Sequence, residues 1–127
     1  MEEVSITLFE AVGGQPYFDD LVHRFYEAVA ADDVLRPLYP DDLEPSERHL
    51  ALFLGQYWGG PTTYSQERGH PRLRMRHAPF RVGRAERDAW FRHMADAVRA
   101  TGVGDEVAQR LLDYFTMAAD HMINSPG

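Results

Sequence analysis

Cysteine is absent from this 127-residue chain, and so is lysine: all 13 basic residues are arginine. Without thiols there is no disulfide framework, no thiolate nucleophile, no iron–sulfur cluster and no cysteine zinc site. Any metal chemistry falls to His, Asp, Glu or Tyr. Long apolar runs are missing too. The longest stretch without a formal charge, 49–66, contains Gln56, Gly59, Gly60, Pro61 and two threonines, and is no membrane span. The opening Met1-Glu2-Glu3 lacks the basic head and apolar run of a secretory signal, so a cytoplasmic protein is expected. There is no GxSxG, Walker loop or HExxH, and neither Gly-Gly pair sits in a dinucleotide fingerprint, which leaves a hydrolase or kinase hard to build.

What is present suits a single domain over 1–127, because 44% apolar residues in a chain of this length bury one core and leave little for a second. Net charge is −7, yet seven arginines (68, 72, 74, 76, 81, 84 and 87) fall within twenty positions that hold one acid, Glu86. An acidic protein that gathers its cations in one segment is arranged to grip a small anionic group, not to coat a polyanion. A solvated basic loop is the plainer explanation of the same run.

The chain reads as helices throughout. Thr7-Leu8-Phe9-Glu10 has capping-box spacing and runs into Gly13-Gly14, which can end a short helix. Gln15-Pro16 starts a second, with Phe18, Leu21, Val22, Phe25 and Val29 at helical steps. A short turn from Asp32 is stopped by Pro37 and Pro40, and Pro45-Ser46-Glu47 opens a helix whose inward face reads Leu50, Phe53, Leu54, Tyr57. An irregular stretch is expected from Gly59 to about Arg72, with at most a short helix over 72–77 before Pro79. From Arg84, Trp90, Phe91, Met94, Ala97 and Val98 mark a helix to about Gly102, and Asp105 begins the last, carrying Leu111, Phe115, Ala119 and Met122. No window alternates as a strand, so the fold class is all-α.

The chemistry must come from six histidines and a set of aromatics with polar tips. An isolated His in such a chain is usually a surface or ordinary core residue. His77 differs because it closes Arg72-Leu73-Arg74-Met75-Arg76-His77-Ala78-Pro79-Phe80, which joins an imidazole to guanidinium groups and apolar side chains. An iron porphyrin requires all three: an axial nitrogen, an apolar slot, and cations for its propionates. Tyr26, Tyr39 and Trp90 fall where side chains face inward, and their buried O–H and N–H groups need acceptors. Plain core packing is the alternative for these three.

The run Gln56-Tyr57-Trp58-Gly59-Gly60-Pro61, the block Gly69 to Phe80, Tyr26, Tyr39-Pro40, Phe53-Leu54 and Glu86-Arg87-Asp88-Ala89-Trp90 together resemble group II truncated haemoglobins, of the actinobacterial O-type branch. The resemblance covers nearly the whole chain. It implies a shortened globin in which two helix pairs, those beginning at Pro16 and Pro45 and the last two, sandwich haem b two over two.

On that resemblance His77 is the proximal iron ligand, Arg76, Tyr64 and His49 lie near the propionates, and Leu73, Phe80, Phe53 and Leu54 line the ring. Ser46 and Leu50 fall where other globins place distal-pocket residues. Tyr26, Tyr39 and Trp90 match the distal hydrogen-bonding set, and no distal His is expected. His49 departs from the pattern, standing where relatives often carry a longer basic side chain.

The function implied is reversible binding of dioxygen, carbon monoxide and nitric oxide. Bound dioxygen takes partial superoxide character, so converging donors in a low-dielectric pocket should slow its release. The same donors would polarise a bound peroxide, which makes peroxidase-like or nitric-oxide dioxygenase-like turnover, supported by an unidentified reductase, an expectation alongside binding. Exposed helix faces permit a homo-oligomer. The rival from another class is a helical module using Arg68–Arg87 to hold nucleic acid or anionic lipid. The acidic remainder of the chain disfavours it, and no nucleic-acid partner is expected. A non-haem metal site built from His and carboxylates is weaker still.

Overall fold

The computed structural model describes residues 6–70 and 81–124. Six α-helices and one 3-10 turn make up their regular structure: α1 (Leu8–Ala11), α2 (Gln15–Ala30), the 3-10 turn Arg36–Leu38, α3 (Glu44–Tyr57), α4 (Thr63–Arg68), α5 (Arg84–Ala100) and α6 (Asp105–Met122). No strand occurs among the described residues. The short helix expected over 72–77 lies outside them.

The local signals in the sequence set most of the helix ends. Thr7 is extended and its hydroxyl accepts from the Glu10 amide at 3.1 Å, starting α1. The helix ends at Gly13 and Gly14, whose φ values of 97° and 85° few side chains tolerate, and Gly14 N–H closes the turn onto Phe9 C=O. Pro16 sits in the first turn of α2 and Pro45 in that of α3, where a missing N–H costs nothing. Glu86 caps α5 by accepting from the Gly83 amide at 2.8 Å.

The second Gly-Gly pair serves close approach. Phe9 N–H donates to Trp58 C=O at 3.0 Å, bringing α1 against the end of α3. A Cβ on Gly60 would lie 2.5 Å from the Phe9 ring and 2.8 Å from Gly55 C=O, so only hydrogen fits there. Phe9 in turn stacks on Phe18 of α2. Both glycine pairs therefore act on one contact, which docks α1 over the α2–α3 junction.

The core is continuous. Phe18, Leu21, Val22, Phe25 and Val29 on α2, Leu54 on α3, Met94 and Val98 on α5, and Leu111 and Phe115 on α6 are all fully buried. Truncating any one of the large side chains costs about 3–5 kcal/mol through lost transfer energy and the cavity left behind. α2 packs against both α3 and α5, and α5 against α6, giving the two helix pairs anticipated from the sequence. The ends of the second pair are tied where Asn124 and Val82 exchange two hydrogen bonds of 2.8 Å.

Two expectations fail. The stretch after Pro61 is not irregular throughout: α4 occupies Thr63–Arg68. Its stabilisation comes from α3, since Gln56 donates to the Ser65 hydroxyl at 2.7 Å and accepts from the Ser65 amide at 3.0 Å, while Arg48 and Glu67 form a two-pronged ion pair. Tyr57 does not face inward with Leu50, Phe53 and Leu54. It is 49% exposed, for it is the last residue of α3 and only one side of its ring is covered, by Tyr114 of α6 at 4.3 Å between ring centres.

Candidate functional site

Between the two helix pairs lies a cavity of about 330 Å³. One wall is α3, through Leu50, Phe53 and Leu54; the opposite wall is α6, through Tyr114, Phe115, Ala118, Ala119 and Met122. Both walls are overwhelmingly apolar. Tyr64 closes one side, and the Gln56–Ser65 and Arg48–Glu67 contacts that hold α4 are what place it there.

Polar groups collect at the end lined by Tyr26, Tyr39 and Trp90. Tyr39 belongs to no helix, and its placement is imposed by its neighbours. The Arg36 guanidinium donates to the carbonyls of Tyr39, Pro40 and Asp41 at 3.4, 2.9 and 2.8 Å, clamping the backbone around it. Upstream, one Asp32 carboxylate oxygen accepts from the Val34 and Leu35 amides at 2.7 and 3.1 Å, and the other meets the His93 imidazole of α5. That contact anchors the segment to the helix carrying Trp90, one turn before His93. The His93 hydrogen bond, joined by those of the two amides, holds the Asp32 carboxyl below the usual carboxylate range.

The rings of Tyr26 and Tyr39 meet edge to face at 5.5 Å. Burial pushes both phenols up, Tyr39 to about 12 and Tyr26 higher still, so both stay protonated donors at neutral pH. The neighbouring Tyr26 phenol and Trp90 indole partly offset the burial that raises the Tyr39 pKa. An indole N–H can only donate, so Trp90 adds a donor to this end of the cavity. The neighbouring Tyr39 raises the Tyr26 pKa further. Tyr26, Tyr39 and Trp90 thus bring two phenolic O–H groups and one indole N–H to the same cavity.

Charge is confined to the remaining boundary, where Arg68, Arg87, Glu86 and His49 line the cavity. Arg87 lies under 20% exposed, its guanidinium 5.2 Å from the centre of the Phe91 ring and bonded to Asp120 at 2.8 Å and Asp88 at 3.2 Å.

Of the residues named from the sequence, Tyr26, Tyr39, Trp90, Tyr64, His49, Ser46, Leu50, Phe53 and Leu54 come together around this one cavity. His77, Arg76, Leu73 and Phe80 lie outside the described residues. Sequence reasoning missed Leu35, Leu38, Val82, Arg87 and Tyr114 as wall residues. Arg87 carried a signal, as a member of the arginine cluster; Tyr114 carried none.

The chemistry of this donor set fits haem. An apolar slot accepts the macrocycle, hydroxyl and indole donors stand at one end, and guanidinium groups stand at the boundary. Among the described residues no three His, Asp or Glu side chains gather as a metal site, so the non-haem alternative has no support there. No described helix is long and apolar enough to cross a membrane.

Helices in two packed pairs around an apolar, donor-tipped slot define a small globin. The bacterial-like globin family model matches residues 7–124. A group 2 truncated hemoglobin from Bacillus subtilis is 40% identical over 116 residues, covering 91% of this chain and 87% of the relative. The solved thermostable hemoglobin of the actinobacterium Thermobifida fusca is 54% identical with a TM-score of 0.93, covering 96% of this chain and all of the other. The solved truncated oxygen-avid haemoglobin of Bacillus subtilis is 39% identical with a TM-score of 0.89, covering 94% of this chain and all of the other.

The chain belongs to the bacterial-like globin family, among the group II truncated haemoglobins. As a globin it binds haem, dioxygen and other small diatomic ligands. The arginine-patch reading is correspondingly not favoured, and Arg87, one of its members, is already paired with Asp120 and Asp88.

Proposed function

We propose that this protein holds dioxygen tightly and releases it slowly, with Tyr39 as the principal donor to the ligand. The observation that carries this reading is the gathering of three donors, the Tyr39 and Tyr26 phenols and the Trp90 indole, at one end of an apolar cavity, with the Tyr39 and Tyr26 rings in edge-to-face contact. Haem supplies the iron at which a diatomic ligand is held. The side chains do the rest: Tyr39 donates, Tyr26 and Trp90 orient it, and the walls exclude water, which strengthens each polar contact. The oxygen-avid character stated for the Bacillus subtilis relative supports the same direction.

His77 is assigned the axial nitrogen. Arg76, Tyr64 and His49 are assigned to the propionates, and Leu50, Phe53, Leu54, Leu73 and Phe80 to the faces of the ring. The cofactor is haem b, since a chain without cysteine has no thioether to form with a c-type haem. Slow release suits redox turnover of peroxide or reactive nitrogen species better than rapid delivery, and that turnover draws electrons from a separate reductase. The setting proposed is cytoplasmic.

Absorption spectra of the haem-supplemented protein test the assignment. A Soret band that shifts on dithionite reduction, and again with carbon monoxide, is expected. His77→Ala should leave a weakly held, exchangeable haem, and unchanged haem retention and spectra in that variant would remove His77 from its role.

A further inference from the structure

The three donors at the end of the cavity are not held alike. Tyr26 rides on α2, one of the best-packed helices of the fold, and Trp90 on α5, where its ring meets Phe25 of α2 at 5.5 Å and Phe115 of α6 at 5.8 Å. Tyr39 follows the 3-10 turn in the connection between α2 and α3, a segment with no long helix of its own to fix it. Its distance from the other two donors is therefore set by whatever ties that segment to the helices.

The tie to α5 is made at Asp32. One of its carboxylate oxygens meets His93 Nε2 at 2.5 Å and the Arg92 guanidinium at 3.5 Å. The His93 and Asp32 side chains are only 17% and 10% exposed, whereas that of Arg92 is 63% exposed, so the short, covered His93 contact is the one that holds. From Asp32 the constraint passes to Tyr39 in two backbone steps: Arg36 N–H donates to Asp32 C=O at 2.9 Å, and Tyr39 N–H donates to Arg36 C=O at 3.2 Å. The other Asp32 carboxylate oxygen stiffens the start of this path by accepting from the Val34 and Leu35 amides. At the far end, His93 lies three residues after Trp90 and so shares its face of α5. Neither Asp32 nor His93 is among the residues that line the cavity.

We propose that His93 and Asp32 are positioning residues for ligand retention: their bond sets the loop that carries Tyr39 against the helix that carries Trp90, so that both donors reach one ligand. The inference rests on the donor role given to Tyr39 above. A hydrogen bond weakens steeply once its donor is displaced or misaligned, so cutting the tie loosens the contact from Tyr39 without removing any group from the cavity. Two residues that never touch the ligand thereby govern how fast it leaves.

The test compares haem-loaded variants by stopped-flow dioxygen release and by the infrared C–O stretch of the carbon monoxide complex, which falls as donors approach the ligand. His93→Leu removes the donor; Asp32→Ser keeps a hydroxyl for the Val34 and Leu35 amides and cuts only the tie to α5. Both should release dioxygen about three- to tenfold faster than the parent and raise the C–O stretch. His93→Gln, whose amide can reach the same carboxylate, should restore both readings, and Arg92→Gln should match the parent. In a Tyr39→Phe background His93→Leu should change release by less than about twofold, an outcome that a merely structural role would not produce. Parent-like release and C–O stretch in both His93→Leu and Asp32→Ser, or an undiminished His93→Leu effect in Tyr39→Phe, overturns the tie and leaves the donor reading standing. Parent-like release from Tyr39→Phe overturns the donor reading and the tie with it.

Discussion

Replacing Tyr39 by Phe removes one hydroxyl from the cavity and almost no volume, which isolates the donor. A hydrogen bond to an acceptor with ionic character is worth about 1.5–3 kcal/mol. At about 1.4 kcal/mol per factor of ten, its loss alone would speed dioxygen release roughly 10- to 100-fold. The structure places the result at the lower end. In Tyr39→Phe the Trp90 N–H, which also lines the cavity, can turn toward the ligand and recover part of the loss. Roughly tenfold faster release is therefore expected for the single variant, and a further roughly tenfold for Tyr39→Phe with Trp90→Phe, so that the two changes are not additive. Tyr26→Phe should act more weakly, because Tyr26 reaches the ligand through Tyr39. Stopped-flow displacement of dioxygen by carbon monoxide gives the rates directly. Release from Tyr39→Phe within twofold of the parent, or a larger effect from Tyr26→Phe, would refute the assignment of Tyr39 as the principal donor.

Three further outcomes follow from the same geometry. The dioxygen release rate should be flat from about pH 6 to 9, because burial holds Tyr26 and Tyr39 protonated well beyond that range; a step near neutral pH would contradict this. Gly60→Ala should destabilise the fold by about 1–3 kcal/mol in urea denaturation, since its Cβ would meet both the Phe9 ring and the Gly55 carbonyl, whereas Gly104→Ala meets nothing within 4 Å and should be near neutral. Asp32→Asn should cost about 1.5 kcal/mol at pH 7. Because the native Asp32 pKa is lowered, its contribution is present above the unfolded carboxylate value, near 4, and is lost as pH falls through the native value; the gap between parent and variant should shrink in acid, and a gap that widens would reverse the assignment.

Much of the helical frame was legible because its signals are local. Thr7 with Glu10, Pro16, Pro45 and the acidic residues Glu47 and Asp105 each act within one helical turn, and the apolar period of α2 depends only on its own residues. Helix α4 was not legible for the opposite reason. At six residues it has no period of its own, and the groups that hold it, Gln56 and Arg48, belong to α3. The inward reading of Tyr57 failed because spacing gives the angle of a side chain around its helix but not where the covering elements end.

The sequence by itself determined the all-α frame, the family and the residue types gathered for a haem pocket. Tertiary structure decided how the donors are ordered. Tyr39 lies in a loop, clamped by Arg36 and tied through Asp32 to His93, and it shares one cavity with Tyr26 and Trp90 from distant helices. Which donors reach the same cavity depends on distances between groups far apart in the chain, and residue spacing carries no information about those distances. The same holds for Tyr114 and Tyr57, whose contact exists only because α6 lies across the end of α3.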